Sequence, residues 1–275
     1  MNPADYCRTT YQQYYETRYA AAHDEAAAQK TAIRQTLVDA MLEFPEVDPA
    51  SLWGAIHSAH LHRKSGIAEL HIVQAVTSAE NSWKKSSGHA FEEMILGATA
   101  KVLEGSGVRL YLQRDVTTQL KLGEIANTNA DILQIKTWLK NSAFDLFATI
   151  EIAGKNFIFG CVQSKTSIRD RVTRDREPSL FAMNHNFWSI SIVLDGSFLA
   201  QKKFIDMVNG GGSGFEENGW HGVYVFSIAN PAGRLYRLGP KLQILVEHAK
   251  TAAKFWHEKR QWMLPPWAPE IADNY

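Results

Sequence analysis

The chain has 275 residues, of which 45% are hydrophobic and 21% charged, and its 29 lysines and arginines balance its 29 aspartates and glutamates. This composition excludes a disordered chain and favours a soluble globular protein, and any affinity for nucleic acid must come from local clusters of cations. The two cysteines, Cys7 and Cys161, lie far apart, which favours free thiols over a disulfide scaffold or a zinc site. Neither a signal peptide nor an apolar run of membrane-spanning length is present, so we expect a cytoplasmic protein that does not bind a membrane.

The first 77 residues or so carry signals for helices and none for a strand. Pro3 can open a first helix, and the alanine-rich segment Glu25–Phe44 predicts a second. Asp48-Pro49 is an N-cap followed by a first-turn proline, and Gly66 lies where a glycine would end that third helix. The sequence therefore predicts a separate all-helical subdomain over residues 1–77.

A further helix is predicted from about His89 to Leu103, after Ser87-Gly88. Its apolar stripe comprises Phe91, Met94, Ile95, Ala98 and Val102. Relative to Phe91, Glu92 lies about 100° round the helix and Glu93 about 200°, so Glu92 borders the buried face while Glu93 points to water. Glu92 is therefore the better candidate for a site, although an acid in a first helical turn also interacts favourably with the helix dipole.

The remaining elements are read from apolar patterns. Val108–Leu120 indicates a strand pair or an irregular edge, and Asp131–Ile135 indicates a short strand. Phe187–Leu194 is rich in β-branched and aromatic residues and predicts a strand inside the sheet. Trp220–Ser227 predicts another strand, and Leu242–Trp262 predicts a helix.

The segment from Phe144 to Glu177 carries the main concentration of chemistry. Apolar residues alternate from Phe144 to Ile152 and recur from Phe157 to Val162, which predicts a β-hairpin. If Ile158 and Val162 share the apolar face of the first strand, the register favours a three-residue loop and sets Asp145 directly opposite Lys165. Such a pair suits metal-assisted phosphodiester hydrolysis, although opposed charges across strands are often plain surface ion pairs.

Two Arg-Asp-Arg triplets follow this lysine, at residues 169–171 and 174–176. Arginine makes bidentate contacts with guanine, and an acid between arginines accepts from the cytosine amino group. The triplets start five residues apart, about 140° around a helix, so only one of them can face a groove of DNA. The same pattern is also typical of a solvated, charged helix face.

These motifs carry a family resemblance. The unit of Asp145 with Gln163-Ser-Lys165 resembles the core of PD-(D/E)XK nucleases. The segment Lys165-Thr-Ser-Ile-Arg-Asp-Arg171 is similar to the motif of type II restriction endonucleases that recognise CCGG-containing sites. The resemblance covers nearly the whole chain, including Ser82 to Glu92. It implies an α/β fold with a mixed sheet flanked by helices. We expect residues 78–275 to form the catalytic and DNA-binding domain, and residues 1–77, which hold no catalytic constellation, to serve dimerisation or assembly.

The resemblance also implies roles for individual residues. Asp145 would be a metal ligand, Lys165 the catalytic lysine and Glu92 a further active-site acid and metal ligand, with Mg²⁺ as the cofactor. The residues implied to read C:G pairs are Arg169, Asp170 and Arg171. Asp131 competes with Asp145 for the role of metal ligand because it too opens an apolar segment, but Asp145 has the lysine opposite it.

One position departs from the family pattern. The usual acid two residues before the lysine is replaced by Gln163, and a neutral amide is a poorer Mg²⁺ ligand than a carboxylate. Some enzymes that recognise CCGG supply an acid from the helix after the lysine, where Asp175 and Glu177 are available. The spacing does not choose between Asp175 and Glu177, and Glu92 stays a third candidate.

The resemblance implies Mg²⁺-dependent cleavage of double-stranded DNA at a palindromic site that contains CCGG, flanked by A or T, leaving 5′-phosphate ends. A palindromic target implies a homodimer or a higher oligomer on DNA. Two alternatives stay open: a DNA-binding or assembly module without hydrolysis, favoured by Gln163 and the neutral charge, and a structure-specific repair nuclease.

Overall fold

The chain forms two compact units, Met1–Lys84 and Lys85–Tyr275. The structure is a computed structural model that describes residues 1–67, 69–167, 172–196, 201–212, 214–228, 231–239 and 242–274. Within these ranges, no helix is both long enough and apolar enough to cross a bilayer.

The first unit contains three helices that begin and end at their local sequence signals. They are α1 (Pro3–Ala22), α2 (Glu25–Glu43) and α3 (Pro49–Ser65). The side chains of Asn2, Asp24 and Asp48 each accept a hydrogen bond from a first-turn amide, and Gly66 closes α3 with a left-handed φ of 69°. The predicted start of α1 and the predicted bounds of α2 and α3 are thus confirmed to within a residue.

Helix α4 spans Leu70–Leu103, so the prediction that it starts near His89 was wrong. Gly88 lies inside the helix, where it has no steric conflict and costs only about 1 kcal/mol relative to alanine. After Gly88, the buried residues of α4 recur every four positions and are Phe91, Ile95, Thr99 and Leu103. The predicted stripe was wrong at Met94 and Val102, which are exposed.

The second unit is built on one mixed sheet of six strands in the described residues. The strands are β1 (Val108–Leu112), β2 (Leu146–Ile152), β3 (Lys155–Ser167), β4 (Trp188–Asp195), β5 (Gly222–Ser227) and β6 (Leu235–Arg237). They lie in chain order, with β1, β2 and β3 antiparallel and β3 to β6 parallel. The predicted strand that corresponds to β4 is confirmed inside the sheet, as is the α/β class.

Helices cover both faces of this sheet. They are α5 (Gln113–Leu122), α6 (Asn129–Lys140), α7 (Val172–Asn184), α8 (Lys202–Asn209) and α9 (Gln243–Lys259), followed by short 3₁₀ turns at Arg260–Trp262 and Pro269–Asn274. Neighbouring strand residues Leu146 and Phe147 point to opposite faces. Leu146 packs in a core with α4 and α9, whereas Phe147 packs in a core with α5, α6 and α7.

Two predicted strand segments are helical. Only Val108–Leu112 is a strand, because the chain turns into α5 at Gln113, and Asp131–Ile135 lies inside α6. Thr128 caps α6 by accepting from the amide of Asp131, and the buried residues of α6 continue beyond this segment to Trp138. An apolar run of five residues is too short to separate the period of a strand from that of a helix.

The hairpin of β2 and β3 differs from the predicted register. The strands are joined by the two-residue loop Ala153-Gly154, with φ values of 50° and 73°, rather than by a three-residue loop. The register shifts by one residue at a bulge beside Ala148 and Thr149. Ile158 and Val162 therefore face opposite cores, and the prediction that they share one face was wrong.

Candidate active site

Asp145 lies immediately before β2, and backbone groups of β3 and of the first residue of α5 hold it. Its amide donates to the Val162 carbonyl at 3.0 Å, and its carbonyl accepts from the Gln113 amide at 3.0 Å. Oδ2 accepts from the Ser164 amide at 2.7 Å. Extending the observed register by one residue sets Asp145 opposite Gln163, so the prediction that it faces Lys165 directly was wrong by two residues.

Lys165 nevertheless reaches Asp145 from the same side of the strand pair. Its Nζ lies 3.8 Å from Asp145 Oδ2 and 3.7 Å from Asp175 Oδ1. These side chains are 26–30% exposed, which leaves the ammonium group accessible to a ligand while two carboxylates hold it. The structure thus brings together the two residues that the motif singled out and adds an acid from the first turn of α7.

Glu92, on α4, lines the same cavity as Asp145 and interacts with its charge. Burial and the negative charge of Asp145 raise the pKa of Glu92 above its ordinary value, while His89 Nδ1, 3.5 Å from Oε2, opposes the shift. The Glu92 side chain is 17% exposed, whereas Glu93 is 59% exposed and pairs with Arg114. The prediction that Glu92 borders the buried face and Glu93 points to water is therefore confirmed.

A cavity of about 420 Å³ opens in front of Glu92 and Asp145. Its other lining residues are His89, Glu93, Leu112, Gln113, Arg114, Thr117 and Ser142. The described residues contain no group of three histidine, cysteine or acid side chains already gathered around one point. Two carboxylates that face one space nevertheless fit Mg²⁺, which is commonly held by one or two carboxylates together with water and substrate phosphate.

Gln163, at the position of the missing acid, is fully buried, and its side chain makes three hydrogen bonds. Its Nε2 donates to the Asp175 carbonyl at 2.8 Å and to the Ala143 carbonyl at 3.3 Å. Its Oε1 accepts from Trp220 Nε1 at 2.8 Å. The amide therefore ties the start of α7, which carries Asp175, to the strand that carries Lys165. No local pattern reveals this role, because Trp220 is 57 residues away in the chain.

The geometry separates the two acids that the spacing left open. Asp175 points to Lys165, whereas Glu177 is exposed. Arg176 of the second triplet donates from Nη2 to the Glu217 carbonyl at 2.6 Å and stacks over the Phe215 ring. Arg174 is exposed. The first triplet, Arg169, Asp170 and Arg171, lies outside the described residues.

Asp131, the competing metal ligand, has a structural partner instead. Its two oxygens accept from Arg260 at 2.6 and 2.8 Å, and Asp131 is buried. Burial alone would raise the pKa of Asp131, but the hydrogen bonds and charge of Arg260 outweigh burial and lower it. Arg260 also lies over the rings of Phe187 and Trp256. The arrangement is a partly buried ion pair and leaves Asp145 as the candidate ligand.

Comparison with known proteins gives a consistent result. The family model described as BsaWI restriction endonuclease type 2 matches residues 124–262, just over half of the chain. A solved structure of a pre-specific BsaWI–DNA complex matches with a TM-score of 0.86 and 50% identity, over 98% of each chain. A specific AgeI–DNA complex matches weakly, with a TM-score of 0.42 and 17% identity over 78% of this chain and 82% of that one. No curated protein sequence matches.

Proposed function

The chain belongs to the BsaWI family of type II restriction endonucleases and is a site-specific nuclease, and we propose that it cleaves both strands of a palindromic DNA site. The proposed site contains CCGG flanked by A or T. The proposed cofactor is Mg²⁺, and the proposed products carry 5′-phosphate ends. The observation that carries the catalytic assignment is the position of the Lys165 ammonium group, within 4 Å of both Asp145 and Asp175.

Each side chain has a role that follows from its surroundings. Asp145 and Glu92 would hold Mg²⁺, because their carboxylates share one cavity and the charge of one raises the pKa of the other. Bound there, Mg²⁺ supplies positive charge that stabilises the developing charge on the phosphoryl group. Lys165 donates hydrogen bonds to a phosphate oxygen or to the attacking water, and Asp175 orients its ammonium group from the other side.

A plasmid assay tests the catalytic assignment. Asp145→Ala and Lys165→Ala should each abolish cleavage in Mg²⁺ and leave DNA binding in EDTA measurable, because both residues act on the reacting phosphate and not on bases. Mapping the cut positions on a sequenced plasmid identifies the site. Discrete fragments that do not end within CCGG would refute the proposed specificity, and binding without any cleavage would favour a non-catalytic DNA-binding module.

The proposed readers of the C:G pairs are Arg169, Asp170 and Arg171, on the strength of the motif alone. Losing one bidentate guanine contact costs about 1–3 kcal/mol per half-site. Arg169→Ala or Arg171→Ala should therefore cripple specific binding, whereas Arg174→Ala should weaken binding modestly without changing preference. Competition between CCGG and scrambled duplexes at fixed salt measures this, and a changed preference in the Arg174 variant alone would overturn the assignment.

Two-fold symmetry of the site implies that two chains act together on one duplex. We assign the all-helical segment 1–77 to dimerisation or assembly, because it contains none of the proposed catalytic residues. Light scattering of the full chain with and without a duplex tests the oligomeric proposal, and a single chain per cleaved duplex would contradict it.

A further inference from the structure

A second cavity, of about 360 Å³, lies between α5 and α6 beside the carboxylate site. We call it the lysine groove, and its lining residues are Thr117, Leu120, Lys121, Lys136, Leu139 and Lys140. The three lysines are exposed, and the two leucines are half-buried between them. The groove therefore has an apolar floor and cationic walls.

The lysine groove continues the cavity in front of Asp145. Thr117 lines both cavities, so α5 passes from one to the other. Gln113 ties the helices to the site, because its amide donates to the Asp145 carbonyl and its Nε2 donates to the Leu139 carbonyl at 2.7 Å. Lys140 directly follows Leu139, the residue that Gln113 joins to Asp145.

The cations of this surface differ in how their charge is balanced. Arg114, at the junction, pairs with Glu93 at 3.2 Å and lies 3.9 Å from Asp115. The three lysines of the groove have no carboxylate within ion-pairing distance among the residues that the structure describes. A groove with three uncompensated ammonium groups attracts an anion, and its apolar floor adds no competing negative charge.

We propose that the lysine groove binds backbone phosphates of the DNA strand next to the scissile phosphate. Lys136 and Lys140 are four residues apart on α6, so both project from one face of the helix, about 6 Å apart along its axis. Lysine is suited to contacting phosphate as a point charge and carries no information about base sequence. The groove would thus set the position of the duplex and not its sequence. This inference rests on the proposed function for its ligand, because the scissile phosphate is what places DNA beside Asp145.

The test measures how DNA binding depends on salt, in EDTA so that no cleavage occurs. Fluorescence anisotropy gives the affinity for a CCGG duplex and for a scrambled duplex between about 50 and 200 mM salt. Each lost phosphate contact lowers the salt slope by about 0.9, so Lys136→Ala/Lys140→Ala should lower it by about 1.8. Between these two salt concentrations, the decrease in affinity should be about 12-fold smaller for the variant than for the parent. This difference should be the same for both duplexes.

A matched control is available on the other face of the sheet. Lys250 and Lys254 are also exposed, four residues apart and on a helix, α9. Lys250→Ala/Lys254→Ala should keep the parental slope, whereas Lys136→Arg/Lys140→Arg should restore it because the charge is kept. A parental slope in the Lys136/Lys140 alanine variant would overturn the proposal, as would an equal decrease in the Lys250/Lys254 variant.

The three lysines could also bind a free phosphate ion instead of the phosphates of a DNA backbone. Thermal melting in inorganic phosphate distinguishes these two ligands. If phosphate stabilises the parent but not the Lys136→Ala/Lys140→Ala variant while both have the same duplex salt slope, the groove is a small-anion site and the DNA proposal fails. The outcome is independent of the catalytic proposal. A chain that binds duplex through these lysines but never cleaves would refute catalysis alone, and a chain that cleaves with an unchanged slope would refute the groove alone.

Discussion

Replacing Gln163 with glutamate restores the acid that the family usually has two residues before the lysine, yet the structure predicts a loss of activity. The substitution keeps the size of the side chain and the oxygen that accepts from Trp220 Nε1. It removes the NH₂ group that donates to the carbonyls of Asp175 and Ala143. An ionised carboxylate would instead face two carbonyl oxygens at a fully buried position.

The size of the effect follows from these contacts. Leaving a buried acceptor without its donor costs about 1–3 kcal/mol, so the two carbonyls together cost at least about 2 kcal/mol. Burying an uncompensated negative charge adds to this cost, unless the new carboxyl group takes up a proton. Freeing the first turn of α7 would also move Asp175 away from Lys165. A misplacement of about 1 Å at an active site can reduce the rate about 100-fold.

The assay is single-turnover cleavage at saturating Mg²⁺, combined with thermal melting. Gln163→Glu should melt below the parent and cleave about 100-fold more slowly, as estimated from the same displacement. Gln163→Met is the matched control, because it removes the same donors and the acceptor without adding a charge. If Gln163→Glu cleaves at least as fast as the parent and needs less Mg²⁺, the position is an ordinary ligand site and the positioning role is refuted.

Three further outcomes are expected. Because the pKa of Glu92 is raised in the folded state, the folded chain holds a proton that the unfolded chain releases, and stability falls as pH rises from the unfolded pKa through the folded one. Glu92→Gln removes this loss of stability. The variant should therefore melt at a higher temperature than the parent in EDTA at about pH 7, and at the same temperature at about pH 4. In cleavage assays, Asp175→Asn should slow the reaction far more than Glu177→Gln, and equal rates would contradict the contact between Asp175 and the lysine. Asp131→Ala should lower the free energy of unfolding, measured in urea, by about 3–5 kcal/mol, because it leaves the partly buried charge of Arg260 without its partner. A decrease of less than about 1 kcal/mol would show that solvent screens this ion pair.

The parts of the fold that the sequence predicted well have signals within a few residues. Asp48-Pro49 and Gly66 fix the ends of α3 through a capping side chain, a preset φ and a left-handed turn, all of which are local. The start of α4 was missed because Gly88 is typical of a helix boundary, whereas here the helix continues through it without a steric conflict. Gln163 was interpreted as a lost ligand because its partner Trp220 is distant in the chain.

The hairpin shows why a correct pair of site residues can follow from an incorrect register. Residues that face each other across two antiparallel strands project from the same side of the sheet, and a shift of one residue reverses that side. If the pairing that begins at the two-residue loop continued without a shift, Asp145 would lie opposite Val162 and Lys165 would point to the other face of the sheet. The bulge beside Ala148 adds one residue to β3, so that Leu146 pairs with Val162 instead. Asp145 and Lys165 then share a face, as predicted, although Ile158 and Val162 do not, and the bulge is therefore the feature of the backbone that assembles this site.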